Sequence, residues 1–242
     1  MLALSGPCQR YVTKEKASCA VIFLHGYGAN GDDLIGLASY LKYALPEAAF
    51  YSPHAPHPCE VNPMGRQWFS LASYNPEAFL HSTEDQQAEY MQKACNQLVK
   101  GADDVAPTLK TFIMEVSDTE SLPLSKIALV GFSQGTMMAL HVGLRLEETL
   151  GAIVGFSGAL LGSEQLTQNI TVRPPVLLVH GKEDSVVPFS ALSISEKALS
   201  QCSVNVTTHA CPNMAHGIDE DGLSQAAAFL QKSRLAAAGA HA

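Results

Sequence analysis

Charged residues are scarce in this chain, at 16% of its 242 residues, and they form no basic run. The formal net charge is −8. A nucleic-acid-binding surface needs clustered Lys and Arg, so we expect no nucleic-acid partner. Hydrophobic residues make up 47% of the chain, which excludes a disordered protein and is sufficient for a large core.

Long apolar runs are also missing. No stretch approaches the roughly 20 apolar residues that a membrane-spanning helix needs, so we expect no stable membrane insertion. Residues 1–18 lack a charged segment followed by an apolar one, and we expect no cleaved signal peptide. The six cysteines are scattered without a Cys-x-x-Cys pair, which favours free thiols in a reducing cytoplasm over disulfides.

Short apolar runs alternate with helical patterns along the chain. The apolar runs are 19–26, 48–56, 126–131, 151–158, 175–181 and, with alternation, 203–210. Helical spacing occurs around 31–45, 83–102, 134–147, 189–201 and 222–238, with Asp32 or Asp33 as the N-cap of the first helix. This alternation predicts a mostly parallel sheet covered on both faces. We expect one α/β domain over residues 1–242, with a frayed tail at 237–242.

The apolar run at 126–131 ends in the sequence GFSQG (131–135), and a helical pattern starts at once. Such a tight turn strains its central residue, and the glycines two positions away on each side relieve the crowding. The pattern therefore predicts a nucleophile elbow with the Ser133 hydroxyl at the carboxyl edge of the sheet. The N-terminus of the following helix favours developing negative charge there.

A nucleophilic serine needs a base and an acid that orients the base, and after this kind of elbow the acid precedes the histidine in the chain. His216 lies in a loop between the last predicted strand and the last predicted helix, so it is the predicted base. Asp184 follows the carboxyl end of the strand at 175–181 and is the predicted acid. Its neighbour Glu183 is the alternative.

These residues predict acyl transfer. His216 would take the proton of Ser133, while Asp184 holds the imidazole in the useful tautomer. The negatively charged oxygen that forms needs preorganised N–H donors. We expect one donor from the backbone of Gln134, which follows the nucleophile, and one from the backbone of Tyr27, in the loop after the first buried strand.

Two other motifs could indicate binding sites. The loop GYGANG (26–31) matches the Gly-x-Gly-x-x-Gly pattern of dinucleotide-binding proteins, but Glu47, at the right distance for the required acid, precedes the second strand instead of ending it. His54 and His57 lie among prolines with no nearby carboxylate except Glu60, which favours plain loop residues over a metal site. We predict no cofactor and no metal.

The irregular stretch at 57–82 is the predicted source of substrate specificity. Trp68 and Phe69 in this stretch are candidates for the wall of an acyl pocket, and Val187 is a third candidate. A buried aromatic residue that anchors the loop is the alternative interpretation of Trp68 and Phe69.

Five segments within residues 23–218 are similar to a known family: FLHGYGANGDDL, QWFS, GFSQG, HGKEDSVVP and MAHGI. Together they resemble the phospholipase/carboxylesterase family of α/β-hydrolases, which includes the acyl-protein thioesterases. The resemblance implies the α/β-hydrolase fold, with a mostly parallel central sheet flanked by helices on both faces. It also implies a triad of Ser133, Asp184 and His216, an oxyanion hole from the backbone of Tyr27 and Gln134, and hydrolysis without a cofactor.

The expected function is that of a cytoplasmic serine hydrolase, a carboxylesterase that cleaves esters of small to medium acyl chains. An acyl-protein thioesterase or a lysophospholipase is the alternative, and a non-catalytic binding module with the same fold is a third hypothesis. The expected partner is a small-molecule ester. A homodimer stays open, because composition does not locate a face that would pair two copies.

Overall fold

The computed structural model describes residues 3–12, 16–72, 84–233 and 235. The strands are β1 (Cys8–Arg10), β2 (Cys19–Leu24), β3 (Ala48–Tyr51), β4 (His57–Pro58), β5 (Arg66–Gln67), β6 (Ile127–Phe132), β7 (Ala152–Phe156), β8 (Val176–Gly181) and β9 (Val206–Cys211). Seven of them form one sheet in the order β1-β3-β2-β6-β7-β8-β9, and β4 pairs with β5 in a small hairpin. Within the large sheet β1 is antiparallel to β3, and every other pair is parallel.

The α-helices of the described residues are α1 (Gly31–Ile35), α2 (Ala38–Leu41), α3 (Glu84–Glu120), α4 (Gln134–Gly143), α5 (Leu166–Asn169), α6 (Ser190–Gln201) and α7 (Glu220–Lys232). Short 3-10 helices lie at Leu124–Lys126 and Ser163–Gln165. Within the described residues, no helix is both long enough and apolar enough to cross a membrane.

Helices cover both faces of the sheet, as the sequence predicted. Side chains that alternate along β2 enter two separate cores, because successive strand residues point to opposite faces. Val21 and Phe23 pack with residues of α1, α2 and α7. Ile22 and Leu24 pack with residues of α3, α4 and α6. Burial on both faces explains why the central strands are almost continuously apolar.

Several predicted boundaries were wrong by a few residues. The helical pattern at 31–45 forms two short helices, α1 and α2, and the N-cap of α1 is Asn30, which accepts a hydrogen bond from the N–H of Asp32 at 2.8 Å. Asp33 instead accepts from the N–H of Asn30 at 2.7 Å and completes a capping box. The alternating run at 203–210 forms the edge strand β9, and the antiparallel edge strand β1 was not predicted. The predicted tail at 237–242 lies outside the described residues.

The helix predicted at 83–102 continues to Glu120 and contains Pro107. Its second half carries apolar side chains at helical spacing, and Leu109, Phe112 and Val116 are buried under the sheet. Tertiary burial therefore maintains a helix through a proline that local propensity alone would disfavour.

The carboxyl ends of the central strands meet at one edge of the sheet. The register pairs Leu24 of β2 with Gly131 of β6, and Phe156 of β7 with Val179 of β8. The loops after these strands therefore lie side by side, and they contain most of the candidate site residues.

Candidate active site

Ser133 occupies the junction between β6 and α4 with φ 54° and ψ −116°. A positive φ is uncommon for a residue other than glycine and marks a strained turn. The turn is held in place because the Ser133 N–H donates to the carbonyl of Phe156 at 2.9 Å and the Ser133 carbonyl accepts from the N–H of Thr136 at 3.0 Å. The residue is 9% exposed. The conformation is that of the predicted elbow.

The two glycines of GFSQG allow three pieces of backbone to approach closely. A Cβ atom on Gly131 would overlap the backbone of Gly135 and Thr136 in the first turn of α4. A Cβ atom on Gly135 would overlap the carbonyl group of Leu24 at the end of β2. The elbow therefore packs directly against the strand that leads into the neighbouring loop, and no larger residue fits at either position.

Gly135→Ala is expected to lower the free energy of unfolding by about 1–3 kcal/mol, because the added methyl group must displace the backbone of β2. Gly36→Ala is the matched control, since Gly36 has φ −57° and a Cβ atom there meets nothing within 4 Å. The control should be neutral or stabilising by up to about 1 kcal/mol. Urea denaturation measures both, and equal stabilities for the two variants would contradict the close contact at Gly135.

Asp184 and His216 form a hydrogen-bonded pair, with Oδ2 of Asp184 2.8 Å from Nδ1 of His216. The other oxygen, Oδ1, accepts from the backbone N–H groups of Val186 and Val187, each at 2.9 Å. Glu183, the alternative acid, is exposed. The carboxylate of Asp184 is therefore the acid that the structure brings to His216.

Asp184 is ionised at neutral pH. Burial alone would raise its pKa, but hydrogen bonds from His180, His216 and the Val187 backbone outweigh burial and hold the pKa well below its ordinary value. A carboxylate can only accept, so Nδ1 of His216 carries the proton that it shares with Asp184. The other ring nitrogen, Nε2, is then free of a proton in the neutral imidazole and can accept one.

The loop that carries His216 is tied to the strands beside the elbow. The hydroxyl of Ser157, just after β7, donates to the carbonyl of Gly217 at 3.0 Å. The N–H of Glu183 donates to the carbonyl of Met214 at 3.0 Å. The ring centroids of His216 and Phe132 are 5.0 Å apart, which places the imidazole against the residue before Ser133.

The loop after β2 lies directly beside the elbow. A Cβ atom on Gly26 would be 3.3 Å from Cβ of Ser133, so the Gly26–Tyr27 peptide is a near neighbour of the serine. The Tyr27 side chain points to the β4–β5 hairpin, where its hydroxyl donates to Glu60 at 3.0 Å. Gly26 is thus explained by its position beside Ser133, whereas Gly28 has a φ of +81° and a Cβ atom on Gly31 would overlap the carbonyl of Ser52.

His25 holds this loop in place, a role that the sequence did not predict. Its Nε2 accepts from the N–H of Ala55 at 3.0 Å, so its Nδ1 donates to the carbonyl of Gly26 at 2.8 Å. Burial lowers the pKa of His25 to about 4, which keeps the imidazole neutral and this donor arrangement intact. The carbonyl that it binds belongs to the same peptide unit as the Tyr27 N–H, so His25 orients that donor.

Trp68 and Phe69 lie at 0% and 2% exposure and anchor their loop. The indole N–H of Trp68 donates to the carbonyl of His25 at 2.9 Å. The Gln134 side chain accepts from the backbone N–H of Trp68 at 2.9 Å and donates to the carbonyl of Phe69 at 2.7 Å. This side-chain role of Gln134 was missed, because a contact over more than 60 residues leaves no local signal in the sequence.

An apolar cavity opens beside Ser133. Among the described residues its lining consists of Leu71, Ala94, Cys95, Leu98, Ser133, Gln134, Met137, Val186 and Val187. Val187 is thus placed in the cavity wall, whereas Trp68 and Phe69 are not among the lining residues. Leu71 is the lining residue that comes from their loop. Helix α3 contributes three further lining residues, Ala94, Cys95 and Leu98, that the sequence did not indicate.

A second histidine contacts the same carboxylate as His216. Nε2 of His180, at the end of β8, donates to the carbonyl of Val187 at 2.8 Å and lies 3.3 Å from Oδ2 of Asp184. His180 precedes the acid in the chain, so the expected order of acid and then histidine excludes it as the base. It binds both the acid and the segment that lines the cavity, and its position at a strand end, four residues before Asp184, is the signal that could have found it.

Comparison with known proteins identifies the family of the chain. A family model described as phospholipase/carboxylesterase matches residues 11–234. A protein named acyl-protein thioesterase 1 from Aspergillus fumigatus is 30% identical over 230 residues, which cover 90% of this chain and 89% of that protein. The protein of the same name from Gibberella zeae is 29% identical over 231 residues, with 89% and 90% covered.

Solved structures are similar over nearly the whole chain. The crystal structure of esterase PE8 superposes with a TM-score of 0.81 at 36% identity and covers 95% of this chain and 98% of that one. Arabidopsis thaliana SOBER1 superposes with a TM-score of 0.69 over 90% of this chain and 99% of its own. At 21% identity, the second likeness supports the fold alone.

The mostly parallel sheet, together with these likenesses, defines the α/β-hydrolase fold. The chain belongs to the phospholipase/carboxylesterase family, whose model covers all but its two ends. The protein is therefore an enzyme of the hydrolase class. The fold and family expected from the motifs are confirmed.

Proposed function

We propose that the protein is a serine carboxylesterase that cleaves esters of small to medium acyl chains through an acyl-enzyme intermediate. The observation that carries this proposal is the position of Ser133. It stands in a strained elbow at the mouth of an apolar cavity, and the Asp184–His216 pair is on the adjacent loops.

In the proposed mechanism His216 removes the proton of Ser133 through Nε2, and the serine oxygen attacks the carbonyl carbon of the ester. The C–O bond to the leaving alcohol breaks when His216 returns that proton to the alcohol oxygen. Water then attacks the acyl-enzyme by the same route and releases the acid and Ser133. The hydrogen bond from Nδ1 to ionised Asp184 supports this mechanism, because it favours the tautomer with a free Nε2 and stabilises the imidazolium.

The proposed oxyanion hole uses the backbone N–H groups of Gln134 and Tyr27. Gln134 is the first residue of α4, and the first N–H groups of a helix have no acceptor within the helix. Tyr27 lies inside the turn closed by the hydrogen bond from the N–H of Ala29 to the carbonyl of Gly26, at 3.3 Å. Gly26 beside Ser133, and the clamp from His25, support a donor at this position. Each such donor contributes on the order of 3 kcal/mol to transition-state stabilisation.

The acyl chain is proposed to lie in the apolar cavity beside Ser133. Its lining is almost entirely apolar, so a hydrocarbon chain gains about 0.8 kcal/mol for each methylene group that it buries. A chain carrying charge would lose its hydration there without a partner. The substrate class that fits is therefore an apolar acyl group on a more polar alcohol.

A second candidate function is thioester hydrolysis, and its motivation is the name of the relatives, acyl-protein thioesterase 1. A lysophospholipase is a third version of the same chemistry. The elbow and the cavity fit all three activities, because ester, thioester and lysophospholipid substrates differ in the leaving group and not in the acyl chain. A rate survey separates them: p-nitrophenyl esters from acetate to palmitate, matched acyl thioesters, and lysophospholipids. We expect the highest kcat/KM on esters of short to medium length; a preference above about 10-fold for thioesters would assign the second function instead.

Cys95 is expected to limit the length of the acyl chain. It lines the cavity beside Ser133 and also a smaller neighbouring cavity formed with Ala159, Leu160 and Ala191. Cys95→Leu adds bulk at this position and should lower kcat/KM for octanoate esters by at least about 10-fold. Acetate esters are the internal control and should be hydrolysed at the unchanged rate. An equal loss for both esters would indicate general damage, and no loss for either would place the chain elsewhere.

We also infer a cytoplasmic location, supported by six cysteines that are all free, five of them buried. Cell fractionation tests this, and recovery of the protein only from an oxidising compartment or the medium would contradict it. The homodimer and the absence of a nucleic-acid partner remain predictions.

A further inference from the structure

A group of metal-ligating side chains lies where β9 meets α7, outside the candidate active site. His209 and Cys211 are two residues apart on β9, so their side chains project from the same face of the strand. Asp221 faces them from the first turn of α7. One ligand atom from each of the three, namely a ring nitrogen, the thiol sulfur and a carboxylate oxygen, lies within 4.8 Å of the other two.

Hydrogen bonds fix the positions of these three side chains. Nε2 of His209 is 2.7 Å from Oδ2 of Asp221. The Cys211 thiol donates to Oδ1 of Asp219 at 3.4 Å, and the same oxygen caps α7 by accepting from the N–H of Gly222 at 2.7 Å. The Cys211 thiol is thus the innermost member of the group.

The group opens to solvent on one side. Cys211 is fully buried, the His209 side chain is 27% exposed and the Asp221 side chain is 57% exposed. An ion can therefore enter past Asp221 without displacing the core. Zn²⁺ holds its ligand atoms about 2.0–2.3 Å from itself, so the three ligand atoms must move closer together when an ion binds. The exposed side chain of Asp221 is free to make this movement.

Nitrogen, sulfur and oxygen donors together select the kind of ion. Thiolate and imidazole favour Zn²⁺ among common divalent cations, whereas Mg²⁺ and Ca²⁺ prefer sites made of oxygen atoms. We propose that His209, Cys211 and Asp221 bind one Zn²⁺ ion, with water as the fourth ligand and Asp219 retained as the helix cap. The ion replaces the proton of the Cys211 thiol, which is released to solvent.

The site has a structural consequence for the loop at 212–219, which carries His216. Cys211 precedes this loop, and Asp221 follows it in α7. A bound ion therefore links the two ends of the loop and stabilises the folded state, in which alone the three ligands converge. Zinc binding does not require the proposed esterase activity, so an experiment can refute either proposal without refuting the other.

Zinc titration of the full-length protein tests the proposal, after treatment with a chelator and dialysis. We expect one Zn²⁺ bound per chain, with release of protons measured by calorimetry in buffers of different ionisation enthalpy. Saturation should raise the thermal midpoint by several degrees. Substitution with Co²⁺ should give the charge-transfer absorption of a cobalt–thiolate bond.

The variants His209→Gln and Cys211→Ser should each weaken Zn²⁺ binding by more than about 10-fold and remove the thermal shift, and Cys211→Ser should lose the cobalt–thiolate band. Cys8→Ser is the matched control, because Cys8 is an exposed thiol on β1; it should bind like the wild type. If Cys211→Ser does not fold, Asp221→Asn on the exposed helical turn is the second variant. Unchanged binding in the ligand variants, or no binding by the wild type at submillimolar Zn²⁺, would overturn the proposal.

Discussion

Ser133→Ala is expected to lower kcat for every ester on the order of 10⁶-fold. Without the hydroxyl no acyl-enzyme can form, and water has no activated position from which to attack. KM should change little, because the cavity that binds the acyl chain keeps its shape. Residual turnover, from the oxyanion donors alone, should stay on the order of 10³-fold above the uncatalysed rate.

Covalent labelling tests the same prediction without a substrate. A fluorophosphonate probe should label the wild type at Ser133, and Ser133→Ala should remain unlabelled. Ser193→Ala is the matched control, since Ser193 lies on the exposed side of α6 and its hydroxyl only donates to the carbonyl of Ser190. It should be labelled and active like the wild type. Labelling of Ser133→Ala at another residue, together with retained turnover, would refute the proposed nucleophile.

Asp184→Asn should lower kcat on the order of 10⁴-fold while the loop keeps its conformation. The Asn side-chain oxygen can still accept from the N–H groups of Val186 and Val187, which Oδ1 of Asp184 accepts at 2.9 Å. Its amide group, however, faces His216 as a donor. The imidazole then adopts the tautomer with a proton on Nε2, and that nitrogen cannot take the serine proton.

Glu183→Gln is the matched control for this variant. Glu183 is the neighbouring acid and the alternative from the sequence, and it is exposed. The control should keep nearly full kcat/KM, measured with a p-nitrophenyl ester at pH 8, and both variants should melt close to the wild type. A large loss in Glu183→Gln with activity retained in Asp184→Asn would reverse the assignment of the acid.

The candidate site is partly visible in the sequence because strand ends are local features. The apolar run that ends at GFSQG predicts that Ser133 lies at the carboxyl edge of the sheet, and the run that ends at HG predicts the same for Asp184. Neither prediction depends on the rest of the chain. The structure indeed places Asp184 against His216. Their catalytic roles, like that of Ser133, remain predictions that the variants above test.

The supporting contacts were not visible from the sequence. His180 reaches the Asp184 carboxylate, His25 holds the loop at Gly26, and the Gln134 side chain binds the Trp68 loop. The two histidines contact groups within four residues of themselves, and the fold sets the direction of their rings. The Gln134 side chain binds a residue 66 positions away, and local spacing carries no information about such a partner.

The sequence by itself determined the alternation of strands and helices and the order of serine, acid and histidine, because hydrophobic periodicity and chain order are local properties. Only the tertiary structure decided which side chains surround Ser133. Helix α3 extends far beyond its predicted end because the core beneath it buries Leu109 and Phe112, and its first half brings Cys95 and Leu98 to the cavity. A cavity is the space that distant elements leave between them, so its shape exists only once they have packed.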